Sequence, residues 1–316
     1  MDGEGSCPPH AALLASSDAD LVDTAPDFLC RGVAAGQAVV AVVRASTAAL
    51  LAPALAGEPV VWVDWAEVFG DGAPAAVTAL RRTAARHRQG DDVVRVLLEP
   101  LAGADPDGWR EWQRFEAVLD HVAGSEPLCA LCVHDTRVQP PSLVDAARAT
   151  HPVLAGPDGL VDNPAHVDPG DYLRGLAVPD EPLESAEPLV RADSVRDLRG
   201  LRRDLAARAA GSGLLDGNSA VLEDFLLAVD EMTTNALRHG RPPVDLSLWA
   251  SADRLVCRVT DHGSGLDDPF IGYGPAHGED LSRGGMGLWL ARQLCDHVDI
   301  SPDGDGVSIR LTTRLH

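Results

Sequence analysis

The chain has 316 residues and a formal net charge of −22 at pH 7, from 48 acidic and 26 basic side chains, and every basic one is arginine. That charge repels phosphate backbones and anionic lipid, which excludes direct nucleic-acid binding and a membrane surface as partners. With 45% hydrophobic residues and a mean hydropathy of −0.03 the chain has ample core for about two domains. No apolar run approaches the roughly 18 residues of a membrane span, and the start MDGEGSCPPH is not the basic-then-apolar pattern of a leader, so a cytoplasmic protein is expected.

In chain order, β-branched runs at 38–43, 60–65, 93–99 and 128–135 alternate with stretches of helical composition such as APAAVTALRRTAARHR and DGWREWQRFEAVLDHVAG. Fully apolar strands separated by helices predict a parallel sheet covered on both faces, an α/β domain over about 8–165. The residues after the first of these runs, RASTAALLAPAL, contain no glycine and no GxxxxGK[ST], so a Walker-type phosphate loop is not expected there. Cysteines at 7, 30, 129, 132, 257 and 295 are too sparse for a disulfide scaffold and are expected as reduced thiols. Cys129 and Cys132 have metal or redox spacing, but three residues apart on a strand they point to opposite faces. The alternative is a metal site drawing on Cys132, His134 or His10.

Residues 166–190, rich in proline and acidic side chains, read as a linker that ends in a short strand, with a boundary near 180. Beyond it come two helical patterns, SVRDLRGLRRDLAARAA and NSAVLEDFLLAVDEMTTNALRHG, and the strand pair VDLSLWA and RLVCRVTD. A Gly-rich loop, the helix GLWLARQLCDHV and a last strand pair complete an α+β layer of mostly antiparallel sheet with helices on one face.

Three features of this second half carry chemistry. In the helix LEDFLLAVDEMTTNALRHG, Phe225, Val229, Met232 and Ala236 form a buried stripe, while Glu231 and Asn235, four apart on another face, can reach one small object. A carboxylate and a carboxamide are hard oxygen donors suited to Mg²⁺, and Glu231 could equally deprotonate or orient a nucleophile. The strand RLVCRVTD runs into Asp261-His262-Gly263-Ser264-Gly265, a carboxylate able to accept from an exocyclic amine, followed by backbone that a flat ring can approach. Third, Arg283-Gly284-Gly285-Met286-Gly287-Leu288 opens a helix whose free N–H groups and dipole favour phosphate.

Each feature alone is ordinary, but in the order E-x-x-x-N, D-x-G-x-G, G-G-x-G-L the set resembles the GHKL (Bergerat) ATPase domain of histidine kinases and anti-sigma-factor serine kinases. The resemblance implies ATP and Mg²⁺ as cofactors, Glu231 as catalytic base, Asn235 as metal ligand and Asp261 as adenine ligand with Gly263 and Gly265 beside the base. It further implies contacts to the nucleotide from Arg238, His239, Gly284, Gly285, Met286, Gly287 and Leu288, a charge from Arg283 near the γ-phosphate, and a lid over 266–283. The run AVDEMTTNALRHG is most similar to the compact anti-sigma kinases, and no histidine lies between His166 and His239 to serve as the phosphoacceptor of a conventional histidine kinase.

In the first half H10-A-A-L-L, DFLCRGVAAGQAVVAV, EWQRFEAVL, LCALCVHD and ATHPVL resemble the MEDS sensory domain, departing from it at His134. That likeness implies a RecA-like parallel-sheet fold without a P-loop. The implied organisation is a sensory domain over 1–168, a linker over 169–186 and a GHKL domain over 187–316. The implied function is an anti-sigma factor and serine/threonine kinase that sequesters a sigma factor and phosphorylates a STAS-domain antagonist. A small-molecule ligand of the first domain and a homodimer are further implications. The alternative function is a non-catalytic ATP/ADP-binding module whose choice of protein partner depends on nucleotide.

Overall fold

Short apolar runs separated by amphipathic segments give strands buried on both faces in the first half. The computed structural model describes residues 7–70, 72–90, 92–100, 106–211, 219–274 and 285–315, and it divides into two units, Met1–Leu176 and Ala177–His316.

The first unit holds strands β1 (His10–Ala15), β2 (Ala38–Val42), β3 (Val61–Val63), β4 (Val94–Leu98), β5 (Leu128–Asp135), β6 (Val153–Gly156) and β7 (Gly159–Asp162). Their order is β3-β2-β4-β5-β1-β6-β7. All neighbours are parallel except the β6–β7 hairpin. Helices α1 (Asp18–Ala34), α2 (Ala45–Leu51), α3 (Trp65–Phe69), α4 (Ala73–His87), α5 (Pro106–Ser125), α6 (Pro141–Thr150) and α7 (Pro169–Gly175) complete it. The mainly parallel sheet agrees with the sequence reading, which nevertheless left out β1 as a strand. HAALLA has no β-branched residue, yet it lies between β5 and β6 and its alanines are wholly buried. The first strand-to-helix turn is therefore Ser16-Ser17, without glycine. Ser17 caps α1 by accepting from the Asp20 N–H, and Asp20 accepts in return from the Ser17 N–H.

The expectation of six reduced thiols is corrected: Cys7 is bonded to Cys129, with Cα atoms 6.0 Å apart, while Cys30, Cys132, Cys257 and Cys295 are free. The reason is the parallel pairing of β1 with β5, which brings Cys7 beside a residue 122 positions away in sequence. Cys129 and Cys132 reach different partners, as their spacing on a strand requires.

The second unit begins inside the stretch read as a linker. A 3₁₀ turn over Pro182–Ser185 precedes β8 (Val190–Ala192), α8 (Leu198–Gly211), α9 (Ser219–His239), β9 (Asp245–Ala250), β10 (Arg254–Asp261), α10 (Met286–Leu294), β11 (His297–Asp303) and β12 (Gly306–Arg314). The sheet, in order β11-β12-β10-β9-β8, is antiparallel throughout. Phe225, Val229, Met232 and Ala236 of α9 are buried as expected, against Leu246, Leu248, Leu255, Cys257 and Leu311 of the sheet. The helix expected over 287–298 stops at Leu294, because His297 and Val298 pair with Thr312 and Leu311 as the start of β11. Among the described residues no helix is long and apolar enough to cross a membrane.

Candidate functional site

In the second unit a cleft of about 270 Å³ opens between α9, the end of β10, the start of α10 and the β11–β12 edge of the sheet. Its floor is apolar, made by Met232, Ala236, Ile300, Val307 and Ile309, and its polar rim includes Asn235, His239 and Asp261. A flat heteroaromatic ring suits such a lining, with the few polar groups fixing its orientation.

Asp261, the last residue of β10, is 8% exposed. Its Oδ1 accepts the Gly263 N–H at 2.6 Å and the Arg241 N–H at 3.2 Å. Those bonds lock the carboxylate and leave Oδ2 to accept from an exocyclic amine. Gly263, Ser264 and Gly265 continue along the cleft. Gly285, with φ 93°, stands in the left-handed region as N-cap of α10, a conformation that glycine adopts without strain. As N-cap it carries no side chain to satisfy the free N–H groups of the α10 first turn, which leaves them available to an anion.

Glu231 and Asn235 lie one turn apart on α9, both half-buried. They converge on Gly287, where a Cβ would stand 2.7 Å from Glu231 Oε2 and 3.1 Å from Asn235 Nδ2. Asn235 borders the cleft and Glu231 lies just behind it, on the α10 side. Leu288 packs under Gly272 and also borders the cleft. Arg238 is exposed at the end of α9 and lies off the cleft, and Met286 and Gly287 open α10 without reaching its wall. Arg283, Gly284 and the part of the expected lid over 275–283 fall outside the described residues. The beginning of that lid, 266–274, turns back so that Tyr273 is buried under the Arg292 guanidinium, 4.1 Å from the ring centroid.

The residues that sequence reasoning missed are Ile300, Val307 and Ile309 of the floor. Val307 and Ile309, two apart on β12, carry the alternation of a one-sided strand, which signals a buried face but not what it faces. The donor set fits the implied cofactors. Asp261 suits an adenine amine, the α10 start suits phosphate, and the Asn235 and Glu231 oxygens suit a hard cation, with no side-chain hydrogen bond engaging either residue among the described residues.

Comparison with known proteins agrees with this division. Residues 9–152 match the family described as MEDS, the methanogen/methylotroph, DcmR sensory domain. Residues 191–313 match the histidine kinase-like ATPase domain. The chain thus matches, region by region, the models of two families, a MEDS domain followed by a histidine kinase-like ATPase domain. Its relatives include the serine-protein kinase RsbW of Bacillus subtilis, 34% identical over 106 residues, which are 30% of this chain and 66% of that protein. The RsbW of Bacillus licheniformis is 36% identical with the same coverage. The sensor protein RstB of Escherichia coli is 31% identical over 114 residues, 33% of this chain and 25% of its own length. The chain therefore spans just under two thirds of the length of the kinases it matches.

Proposed function

We propose that this protein is an ATP-dependent serine/threonine kinase of the anti-sigma type, with the MEDS domain as its sensory input. Asp261, Gly263, Gly265, Asn235 and Gly285 bordering one cleft is the observation that carries the reading, because adenine, metal and phosphate ligands of the three motifs then serve a single nucleotide. When bound, Mg²⁺–ATP would supply the transferable phosphoryl group together with the positive charge that neutralises the phosphate oxygens. Asp261 would accept the adenine amine, and Ile300, Val307 and Ile309 would hold the ring and exclude water. Asn235 would hold the cation, and the N–H groups opening α10 would bind phosphate oxygens. Glu231 would take the proton of the incoming hydroxyl, with Gly287 leaving room for its carboxylate. The partners follow from the family resemblance: a sigma factor that is sequestered and a STAS-domain antagonist that receives the phosphate. Self-association of the ATPase domain and a small-molecule ligand of the MEDS domain belong to the same reading.

The test is affinity capture from the host with Mg²⁺–ATP present, followed by phosphate transfer from radiolabelled ATP to the recovered partners. The reading expects a sigma factor and a STAS protein labelled on serine or threonine. Glu231→Ala should retain ADP binding and lose transfer by about 100-fold or more. Nucleotide-dependent partner binding without any transfer would instead establish the non-catalytic module, and absence of nucleotide binding would end both.

A further inference from the structure

Four potential metal ligands meet in the core of the first unit, far from any nucleotide chemistry in sequence. They are His10 on β1, Cys132 on the adjacent β5, Glu116 on α5 and His151 just after α6, with ligand atoms all within 4.8 Å of one another. His10, Cys132 and His151 are completely buried and Glu116 is 5% exposed. His10 Nε2 lies 3.5 Å from Cys132 Sγ and 3.6 Å from Glu116 Oε2, and His151 Nε2 lies 3.4 Å from Glu116 Oε2. Bonds of 2.0–2.3 Å to one tetrahedral ion would set such ligands about 3.3–3.6 Å apart. These three separations match that spacing within a set that spans up to 4.8 Å, and the nitrogen–oxygen ones are too long for direct hydrogen bonds.

The atoms facing the centre are also unsatisfied. Glu116 Oε2 and His151 Nε2 are buried without a hydrogen-bond partner, which buried polar groups rarely are. Behind them, His151 is held as a metal-bound histidine requires. His151 Nδ1 lies 2.7 Å from the Ala147 carbonyl, so it carries the proton and Nε2 presents its lone pair inward. On the other side of the His10 ring, Nδ1 faces Asp120 Oδ1 at 3.4 Å without a hydrogen bond, and the other Asp120 oxygen is paired with His166 at 2.8 Å. His134 Nε2 stands 3.4 Å from the second oxygen of Glu116, without a hydrogen bond between them.

We propose that His10, Glu116, Cys132 and His151 form a tetrahedral site for a divalent first-row metal of the zinc class. The thiolate and two imidazoles select against Mg²⁺ and Ca²⁺, which take oxygen ligands. On binding, Cys132 gives up its thiol proton to solvent and its sulfur lone pair to the metal. The ion's two positive charges are then balanced by the thiolate and the Glu116 carboxylate, while Asp120 keeps its contact with His166. Four protein ligands close the sphere, which makes the site a clasp joining α5 and the end of α6 to the two central strands. A cavity of about 20 Å³ bordered by Trp112, Glu116, His134 and Gln139 gives room for one water beside the Glu116 carboxylate.

Cobalt titration of the full chain, stripped with chelator under reducing conditions, tests this. One Co²⁺ per chain should bind with the intense ligand-field bands of a tetrahedral site and a thiolate-to-cobalt charge-transfer band, and Zn²⁺ should displace it. Cys132→Ser, a near-isosteric change, should abolish the charge-transfer band in a chain whose circular dichroism is unchanged. His134→Gln, outside the ligand set, should keep it. A folded native chain that gives no thiolate band, or a band that persists in Cys132→Ser, overturns the assignment.

Discussion

Asp261 illustrates how a single side chain is made specific by its surroundings. Two backbone N–H groups fix Oδ1, so Asp261→Asn exchanges a charge-assisted bond at Oδ2 for a neutral amide that cannot accept there as well. ADP affinity measured by calorimetry should fall about 10–100-fold, the equivalent of roughly 1.5–3 kcal/mol. Asn235→Ala should instead remove the Mg²⁺ dependence of nucleotide binding, read as equal affinities with and without the ion. Two glycines separate structural from functional crowding. A Cβ at Gly306 would sit 2.0 Å from the Asp261 carbonyl oxygen, and backbone cannot step aside, whereas at Gly287 the nearest atom is the mobile end of Glu231. Gly306→Ala should therefore cost about 1–3 kcal/mol or more in urea unfolding. Gly287→Ala should leave stability nearly intact and disturb phosphate transfer. At this scale the sequence was informative, since the E-x-x-x-N, D-x-G-x-G and G-G-x-G residues are short-range patterns. The cleft floor was not, because Met232, Ile300 and Val307 come from three elements whose meeting no local spacing encodes.

Elements were legible where one periodicity dominates. In α9 the buried stripe and the polar pair fall on separate faces, as the 3.6-residue repeat dictates. β1 escaped because its alanines and leucines suit a helix equally well, and only pairing with β5 and β6 makes it a strand. Strand β10 and the end of α10 meet through two buried thiols, which bear a pH signature. Burial pushes the Cys257 thiol well up, with Cys295 adding to it. Burial also pushes Cys295 up to about 12, opposed by the Thr313 hydroxyl and reinforced by Asp296 and Asp224. Both folded values exceed the unfolded thiol value of about 8.5. The stability they contribute is therefore complete below about pH 8.5 and lost as pH rises toward the folded values, by about 1.4 kcal/mol per pH unit for each thiol. With no lysine in the chain to titrate in the same range, the effect is open to measurement. Urea midpoints at pH 8 and pH 10 should differ less in Cys257→Ala and Cys295→Ala than in the native chain, and equal differences would contradict the assignment.

For the molecule as a whole, the acidic segment before β8 is held to the second unit by arginines of its sheet. Arg254 pairs with Glu181 at 3.5 Å, and Arg258 pairs with Glu184 at 3.5 Å. Arg310 donates to the Pro179 carbonyl at 2.7 Å and to buried Asp299 at 3.1 Å, and the Trp249 Nε1–H donates to the Ala186 carbonyl at 3.0 Å. Arg310→Ala would strip a buried carboxylate of its guanidinium and free the segment, so unfolding of the second unit should become easier by about 3 kcal/mol. Limited proteolysis should then cut within 177–186. A native-like pattern in both measurements would mean that the segment is held by its other contacts. Composition alone read this stretch as a linker, because prolines and carboxylates look solvated until their arginine partners, more than 70 residues away, are in place.

What the sequence by itself determined was whatever local spacing encodes: strands and helices of strong periodicity, the antiparallel second half, and three ordered motifs with residues that border one cleft. Tertiary structure alone decided the groupings that join distant segments: the central place of β1, the Cys7–Cys129 bond, the cleft floor, the clamped segment before β8, and the convergence of His10, Glu116, Cys132 and His151. The physical reason is that a motif within one turn or one strand is set by backbone geometry. A buried cluster drawn from two strands and two helices exists only once the sheet has chosen its order.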